Sequence, residues 1–245
     1  MSSDEKTLMS RTLMPGADEL RYGDERLQEM WYDVRKYMES KKWLEERPLK
    51  RLRPSMQTLV GKKDLVGIEV GVGHGLHSEC IYENLDIKKL YLIDLNVPWK
   101  ESIGKASPII HKPGVEFIQG DSIDILKKLV EDEDVEEFDF AYLDGNHHYE
   151  YVLAEIAIIY QKIKEGGILA GHDYDQIGVM GAVQTFMLNV WRIIGEKPDS
   201  FFFESCKDDH PGYPEEYIEI GFPIDWWHVK KHNIDKYDIF KLRDG

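Results

Sequence analysis

The stretch Leu65-Val66-Gly67-Ile68-Glu69-Val70-Gly71-Val72-Gly73-His74-Gly75 reads as a buried strand that ends in a glycine turn, with a helix starting near Leu76. Gly71, Gly73 and Gly75 carry no Cβ, so the backbone can turn sharply there and a ligand can approach it closely. The first N–H groups of the following helix face whatever sits in the turn and favour a polar or anionic group. When such a unit opens a series of alternating strands and helices, it marks the ligand crevice.

The alternation continues down the chain. Leu90–Ile93 reads as a second strand that delivers Asp94, and Val115–Ile118 as a third that ends in Gln119-Gly120-Asp121-Ser122. Ser122 is expected to cap the helix carrying Ile123, Leu126, Leu129 and Val130. A fourth strand, Phe138–Leu143, runs into Asp144-Gly145-Asn146-His147-His148-Tyr149. The helix after it places Val152, Ile156, Ile159, Tyr160 and Ile163 at helical spacing, with Gly166-Gly167 as its stop. A short fifth strand, Ile168–Ala170, ends in Gly171-His172-Asp173-Tyr174, and an amphipathic helix covers about Val179 to Ile194. Phe201–Phe203, Tyr217–Ile220 and Trp226–Val229 read as further strands. The pattern predicts an α/β fold, Rossmann-like and doubly wound, with a mostly parallel seven-stranded sheet. Every polar cluster just named falls at a strand's carboxyl end, the edge where such sheets bind ligands.

Ahead of this domain, Leu27, Met30, Trp31, Val34 and Met38 share one helical face, and Pro48 and Pro54 interrupt or end the helical region. Residues 1–60 are therefore assigned to an N-terminal arm and helical extension, acting as a lid or an oligomer contact, and 61–245 to the main domain. The apolar face around Trp31 suits a homodimer. Residues 41–63 hold eight basic side chains against Glu45 and Glu46, in a chain of net charge −15. A solvated surface is the simpler reading of that bias, and a rim attracting an anionic substrate the sharper one. The overall charge disfavours nucleic acid and anionic membranes as partners. No apolar run reads as a membrane span, and Cys80 and Cys206 suggest no disulfide framework, so a cytoplasmic location is expected.

The glycine spacing, E-x-G-x-G-x-G from Glu69 to Gly75, departs from the dinucleotide fingerprint G-x-G-x-x-G, and no Lys-Ser or Lys-Thr follows as in a phosphate loop. The order of motifs resembles the class I S-adenosylmethionine-dependent methyltransferases. That resemblance implies that Glu69, Gly71, Gly73 and Gly75 receive the methionine and ribose part of S-adenosylmethionine, that Asp94 meets the ribose hydroxyls, and that the Asp121-Ser122 turn meets the adenine. Carboxylates suit those tasks because they are pure acceptors facing hydroxyl and amino donors.

Asp144-Gly145-Asn146-His147 is unlike the Asn/Asp-Pro-Pro-aromatic turn of methylases acting on exocyclic nitrogens. Together with His172-Asp173-Tyr174 it resembles small-molecule O-methyltransferases of the macrolide-sugar and, more distantly, catechol type, over roughly Leu65 to Ile194. The resemblance implies Asp144 and Asp173 as ligands of a divalent metal, magnesium or manganese, and His147 as general base on a small hydroxylated substrate such as a sugar or polyphenol. His172 stands where that group has a second carboxylate, so a softer divalent ion, a second base or no metal are all open. His74 and His77 read as helix-start residues. Trp226, Trp227 and Tyr213 are candidates for an acceptor pocket or for the core. A nicotinamide-dependent oxidoreductase, a non-catalytic binding protein that retains the fold, and an RNA methylase remain alternatives.

Overall fold

The computed structural model describes residues 52–100, 105–195, 200–206 and 224–240. The Leu27–Met38 helical face, most of the 41–63 basic run, Tyr213 and the Tyr217–Ile220 strand lie outside the described residues.

Pro54 opens a short helix, α1 (Pro54–Gln57), occupying a first-turn position where its missing N–H costs nothing. Strand β1 (Leu65–Val70) follows and is buried along its whole length, as a central parallel strand should be. Next come α2 (Leu76–Asn84), β2 (Ile87–Asp94), a two-residue pair β3 (Trp99–Lys100) and β4 (Lys105–Ala106), then β5 (Val115–Gln119) and α3 (Ser122–Glu131). The remaining elements are β6 (Phe138–Leu143), α4 (Tyr149–Ile159), β7 (Ile163–Gly171), α5 (Ile177–Ile194), β8 (Phe201–Ser205), β9 (Ile224–Val229) and α6 (Lys236–Phe240).

The main sheet has seven strands in the order β5-β2-β1-β6-β7-β9-β8. The first five run parallel, while β9 lies antiparallel to both β7 and β8. This is the doubly wound, Rossmann-like arrangement that the alternation predicts, with the chain reversing direction across the sheet between β1 and β6. Apolar clusters fill both faces. Ile68, Leu143, Ile156 and Phe186 belong to one, and Leu90, Phe140, Tyr142 and Ile168 to the other. Asp144, at the end of β6, thus sits on the topological switch point, where ligands are expected.

Three local readings change. The cap of α3 is Asp121, whose Oδ1 accepts from the Ile123 and Asp124 amides, not Ser122, which is the first helical residue. Gly166-Gly167 do not stop a helix. Helix α4 ends at Ile159, one 3₁₀ turn (Tyr160–Lys162) follows, and β7 begins at Ile163, three residues before those glycines. Contrary to the reading of no spanning segment, α5 has the length and apolar composition to cross a bilayer. Val179, Val183, Phe186 and Val190 of that helix are packed in the core, while Ile177, Leu188, Trp191 and Ile193 are exposed.

Candidate active site

The glycine turn takes the shape its composition permits. Gly71, Gly73 and Gly75 have φ of 85°, 54° and 77°, the left-handed region that side chains with a Cβ avoid. At Gly71 there is a second constraint, since a Cβ would lie 2.0 Å from the backbone oxygen of Asp144. The ends of β1 and β6 can approach this closely only because one of them is glycine. Asp94 fixes the turn from the neighbouring strand. Its Oδ2 accepts from the Val72 and Gly73 amides at 2.9 Å each, and its Oδ1 accepts from Asn96. With about four lone-pair sites on a carboxylate, Asp94 retains room for one further donor. Glu69 is buried beneath the turn, accepting from Ser78 Oγ and from His77 Nδ1, the latter at 2.9 Å.

These residues line one wall of a cavity of about 760 Å³, which also reaches Asp121, Ser122, Asp144, Asn146 and Tyr151. Its volume falls within the range of small-molecule sites. All seven expected cofactor residues other than Gly75 line it. Gly75 lies behind, its missing Cβ making room for Ser107. Asp121 uses Oδ1 to cap α3, leaving Oδ2 for another donor. Ser122 donates to the buried Glu155, and burial pushes the Glu155 carboxyl up to about 7.

The ends of β6 and β7 bring four polar residues together around Asp144, the one of the four that lines the cavity. His147 Nε2 lies 3.2 Å from Asp173 Oδ2 and 3.9 Å from Asp144 Oδ1. His172 Nδ1 lies 3.2 Å from Asp173 Oδ1 and 3.9 Å from Asp144 Oδ1. The carboxylates of Asp144 and Asp173 raise the His147 imidazole from its ordinary value, against the opposing effect of burial. Burial pushes His172 down, but Asp173 and Asp144 outweigh it and the net shift is upward. Asp173 holds a φ of 56°, a conformation uncommon outside glycine and one met more often at functional sites. Ligand atoms of Asp144, His147 and Asp173 lie within 4.8 Å of one another, a spacing that one divalent ion can bridge. Two carboxylates with imidazole fit manganese or a softer first-row ion better than the all-oxygen set magnesium prefers. The donor set fits such an ion.

Sequence reasoning missed Arg53. This side chain is only 3% exposed. Its Nη1 donates to Asp144 Oδ2 at 3.0 Å and to the Tyr142 hydroxyl at 2.5 Å. Tyr142 donates in turn to Asp225 Oδ1, whose Oδ2 accepts from the Ser55 amide. Burial would raise the Asp144 carboxyl, but Arg53 and His172 hold it well below the usual carboxylate range. For this one residue of the basic stretch, neither the solvated-surface nor the rim reading holds, because it is the buried counter-charge of Asp144. Lys63 fits the solvated reading, pairing with Asp86 in the open. Trp226 and Trp227 are buried in β9 and neither lines the cavity. His77 occupies the first turn of α2, as expected, but its ring also lines the cavity.

Comparison with known proteins bears on the same segment. A curated relative, an uncharacterized protein of Acanthamoeba polyphaga mimivirus, is 28% identical over 117 residues, which cover 46% of this chain and 53% of that protein. The chain therefore spans about half the length of that relative. Among solved structures, an O-methyltransferase from Bacillus cereus in complex with SAH is similar at 18% identity and a TM-score of 0.49, over 88% of this chain and 95% of that one. An rRNA methylase from Streptococcus thermophilus is similar at 18% identity and a TM-score of 0.46, over 73% of this chain and 93% of that one. Residues 68–174, which run from the glycine turn through Asp173, match the family model of a methyltransferase domain.

Proposed function

We propose that the protein transfers a methyl group from S-adenosylmethionine to a hydroxyl of a small molecule, with a divalent metal assisting. One observation carries this reading: Asp144 lines the same cavity as the glycine turn, Asp94 and Asp121, and His147, His172 and Asp173 cluster around that carboxylate. An oxidoreductase needs no such acid–imidazole cluster at this sheet edge.

S-adenosylmethionine would supply an electrophilic methyl, and a divalent ion would lower the pKa of the acceptor hydroxyl. Asp144 Oδ1, Asp173 and His172 would hold the ion. Asp94 has one acceptor position left for a ribose hydroxyl, and Asp121 Oδ2 is available to the adenine amino group. His147, the more exposed of the two histidines, takes the proton of the acceptor hydroxyl, while Asp173 and Asp144 stabilise the imidazolium that results. The proton then leaves to solvent through the exposed side of that ring. The acceptor is a small hydroxylated molecule such as a sugar or polyphenol. The net negative charge of the chain argues against a nucleic-acid acceptor.

The test is a methyl-transfer assay with labelled S-adenosylmethionine, a panel of sugars and polyphenols, and Mn²⁺ or Mg²⁺. Label should appear in an alkali-stable ether product, and chelation should suppress it. Failure of the full chain to bind S-adenosylmethionine or its demethylated product would overturn the reading. Strong salt-dependent RNA binding would move it to the RNA-methylase alternative.

A further inference from the structure

Two buried nitrogen atoms on the wall of the cavity have no hydrogen-bond partner: Arg53 Nε and His77 Nε2. Both residues line the cavity beside Glu69 and Gly71, and both are at least nine-tenths buried. They flank a single aromatic ring. His77 lies 4.3 Å from the Tyr142 ring centroid and the Arg53 guanidinium carbon lies 5.2 Å from it. A buried polar atom without a partner carries a free-energy cost, so each calls for an explanation.

The chemistry of the two atoms is opposite. Arg53 Nε can only donate, and it carries positive charge. His77 Nδ1 faces Glu69 Oε1 at 2.9 Å, and a carboxylate oxygen is an acceptor, so the ring proton sits on Nδ1. Burial and the nearby Arg53 lower the His77 pKa, which favours the neutral ring. In that tautomer Nε2 is an acceptor. The third feature is the N-terminus of α2, a nine-residue helix whose cap is Gly75, so no side chain satisfies its first N–H groups. One wall therefore offers a cationic donor, a helix N-terminus and an imidazole acceptor backed by a carboxylate. A group carrying a carboxylate and an ammonium on one carbon answers all three.

We propose that Arg53, His77 and the N-terminus of α2 form the cradle for the zwitterionic amino-acid end of the cofactor, Arg53 and the helix taking its carboxylate and His77 Nε2 its ammonium. The inference rests on the S-adenosylmethionine reading above and adds to it a residue from outside the matched segment 68–174. Because Arg53 also holds Asp144, the same guanidinium links the amino-acid end of the cofactor to the carboxylate at the proposed reacting centre.

The experiment titrates the full-length protein with S-adenosylhomocysteine and with 5′-methylthioadenosine, which keeps the nucleoside and thioether but lacks the amino-acid group. Wild type should prefer the former by roughly a hundredfold, as expected for two charge-assisted contacts. Arg53→Met and His77→Phe should each weaken S-adenosylhomocysteine binding by about tenfold to a hundredfold and leave 5′-methylthioadenosine nearly unchanged, which also reports that the variant is folded. Should Arg53→Met fail to fold, the ligand ratio in His77→Phe decides. An unchanged ratio in the folded variants, or equal loss of both ligands, overturns the cradle while leaving the cofactor assignment standing. If neither ligand binds wild type, both fall together.

Discussion

Arg53 Nη1 donates to Asp144 Oδ2 over 3.0 Å, joining two residues 91 positions apart in the chain. Arg53 is 3% exposed and Asp144 20%, so the pair is shielded from water far more than a surface ion pair. Removing one partner from such a pair leaves the other charge uncompensated, at a cost of about 3 kcal/mol or more. Arg53→Met should therefore lower unfolding stability by about that amount in a urea titration near neutral pH. The double variant Arg53→Met/Asp144→Asn should recover much of the loss, because it strands no charge. Additive losses would show that the guanidinium acts through its packing on Tyr142 instead.

The glycine turn offers a comparison between two neighbouring positions. Gly71 and Gly73 both hold positive φ, but a Cβ at Gly73 meets nothing within 4 Å whereas one at Gly71 would lie 2.0 Å from the Asp144 backbone oxygen. Gly73→Ala carries only the conformational cost, about 1 kcal/mol. Gly71→Ala must also push β1 and β6 apart. It should abolish S-adenosylhomocysteine binding and cost several times more stability, on the order of 3 kcal/mol. Equal midpoints for the two variants in thermal unfolding would refute the close approach as the reason for glycine at 71.

The contrast between Gly71 and Arg53 explains how much was legible in sequence. The turn, Asp94, Asp121, Asp144 and the His172-Asp173 pair all sit at strand ends, and alternation alone sends every strand end in a parallel sheet to the same edge. Local pattern therefore implied long-range proximity. Arg53 has no such marker. It precedes β1 in a run of basic residues, and its partners Tyr142 and Asp144 are distant in sequence. Strand periodicity could have paired Tyr142 with Asp144 on one face, yet nothing local says that a cation from before the sheet fills the space beside them. The misread cap of α3 has another cause. Asp121 and Ser122 are both good caps, and the helix starts one residue earlier than the serine reading requires.

Asp173 combines a left-handed backbone with contacts to both His147 and His172. If these side chains hold a divalent ion, removing one carboxylate should weaken Mn²⁺ binding by at least about tenfold to a hundredfold, the range typical of even indirect partners of a metal. Asp173→Asn keeps the shape of the side chain and is the better probe than alanine. Isothermal titration with Mn²⁺ alone reads the effect without an acceptor. Equal affinity in wild type and Asp173→Asn would remove this residue from the ion site. His147→Ala should lower the methyl-transfer rate by roughly a hundredfold to ten-thousandfold, as for loss of a general base.

Glu155 supplies the pH dependence. It is 1% exposed, Ser122 donates to one of its oxygens, and burial raises its carboxyl from 4.5 to about 7. Below pH 4.5 the folded and unfolded states both hold the proton, and the contribution to stability is intact. Between 4.5 and 7 the unfolded chain releases its proton while the folded protein keeps it, so stability falls as pH rises. Above 7 the loss is complete, on the order of 3 kcal/mol for a shift of this size. Glu155→Gln copies the protonated form, since its amide oxygen still accepts from Ser122. The variant should match wild type near pH 4.5 and exceed it by up to that amount at pH 8, measured as the difference between their urea midpoints. Other groups titrate over the same window, including Asp175, raised to about 6 by burial. The difference between the two proteins cancels these, because they are present in both. A constant difference from pH 4.5 to 8 would mean that Glu155 is already charged in the folded state and that its neighbours pay its desolvation in some other way.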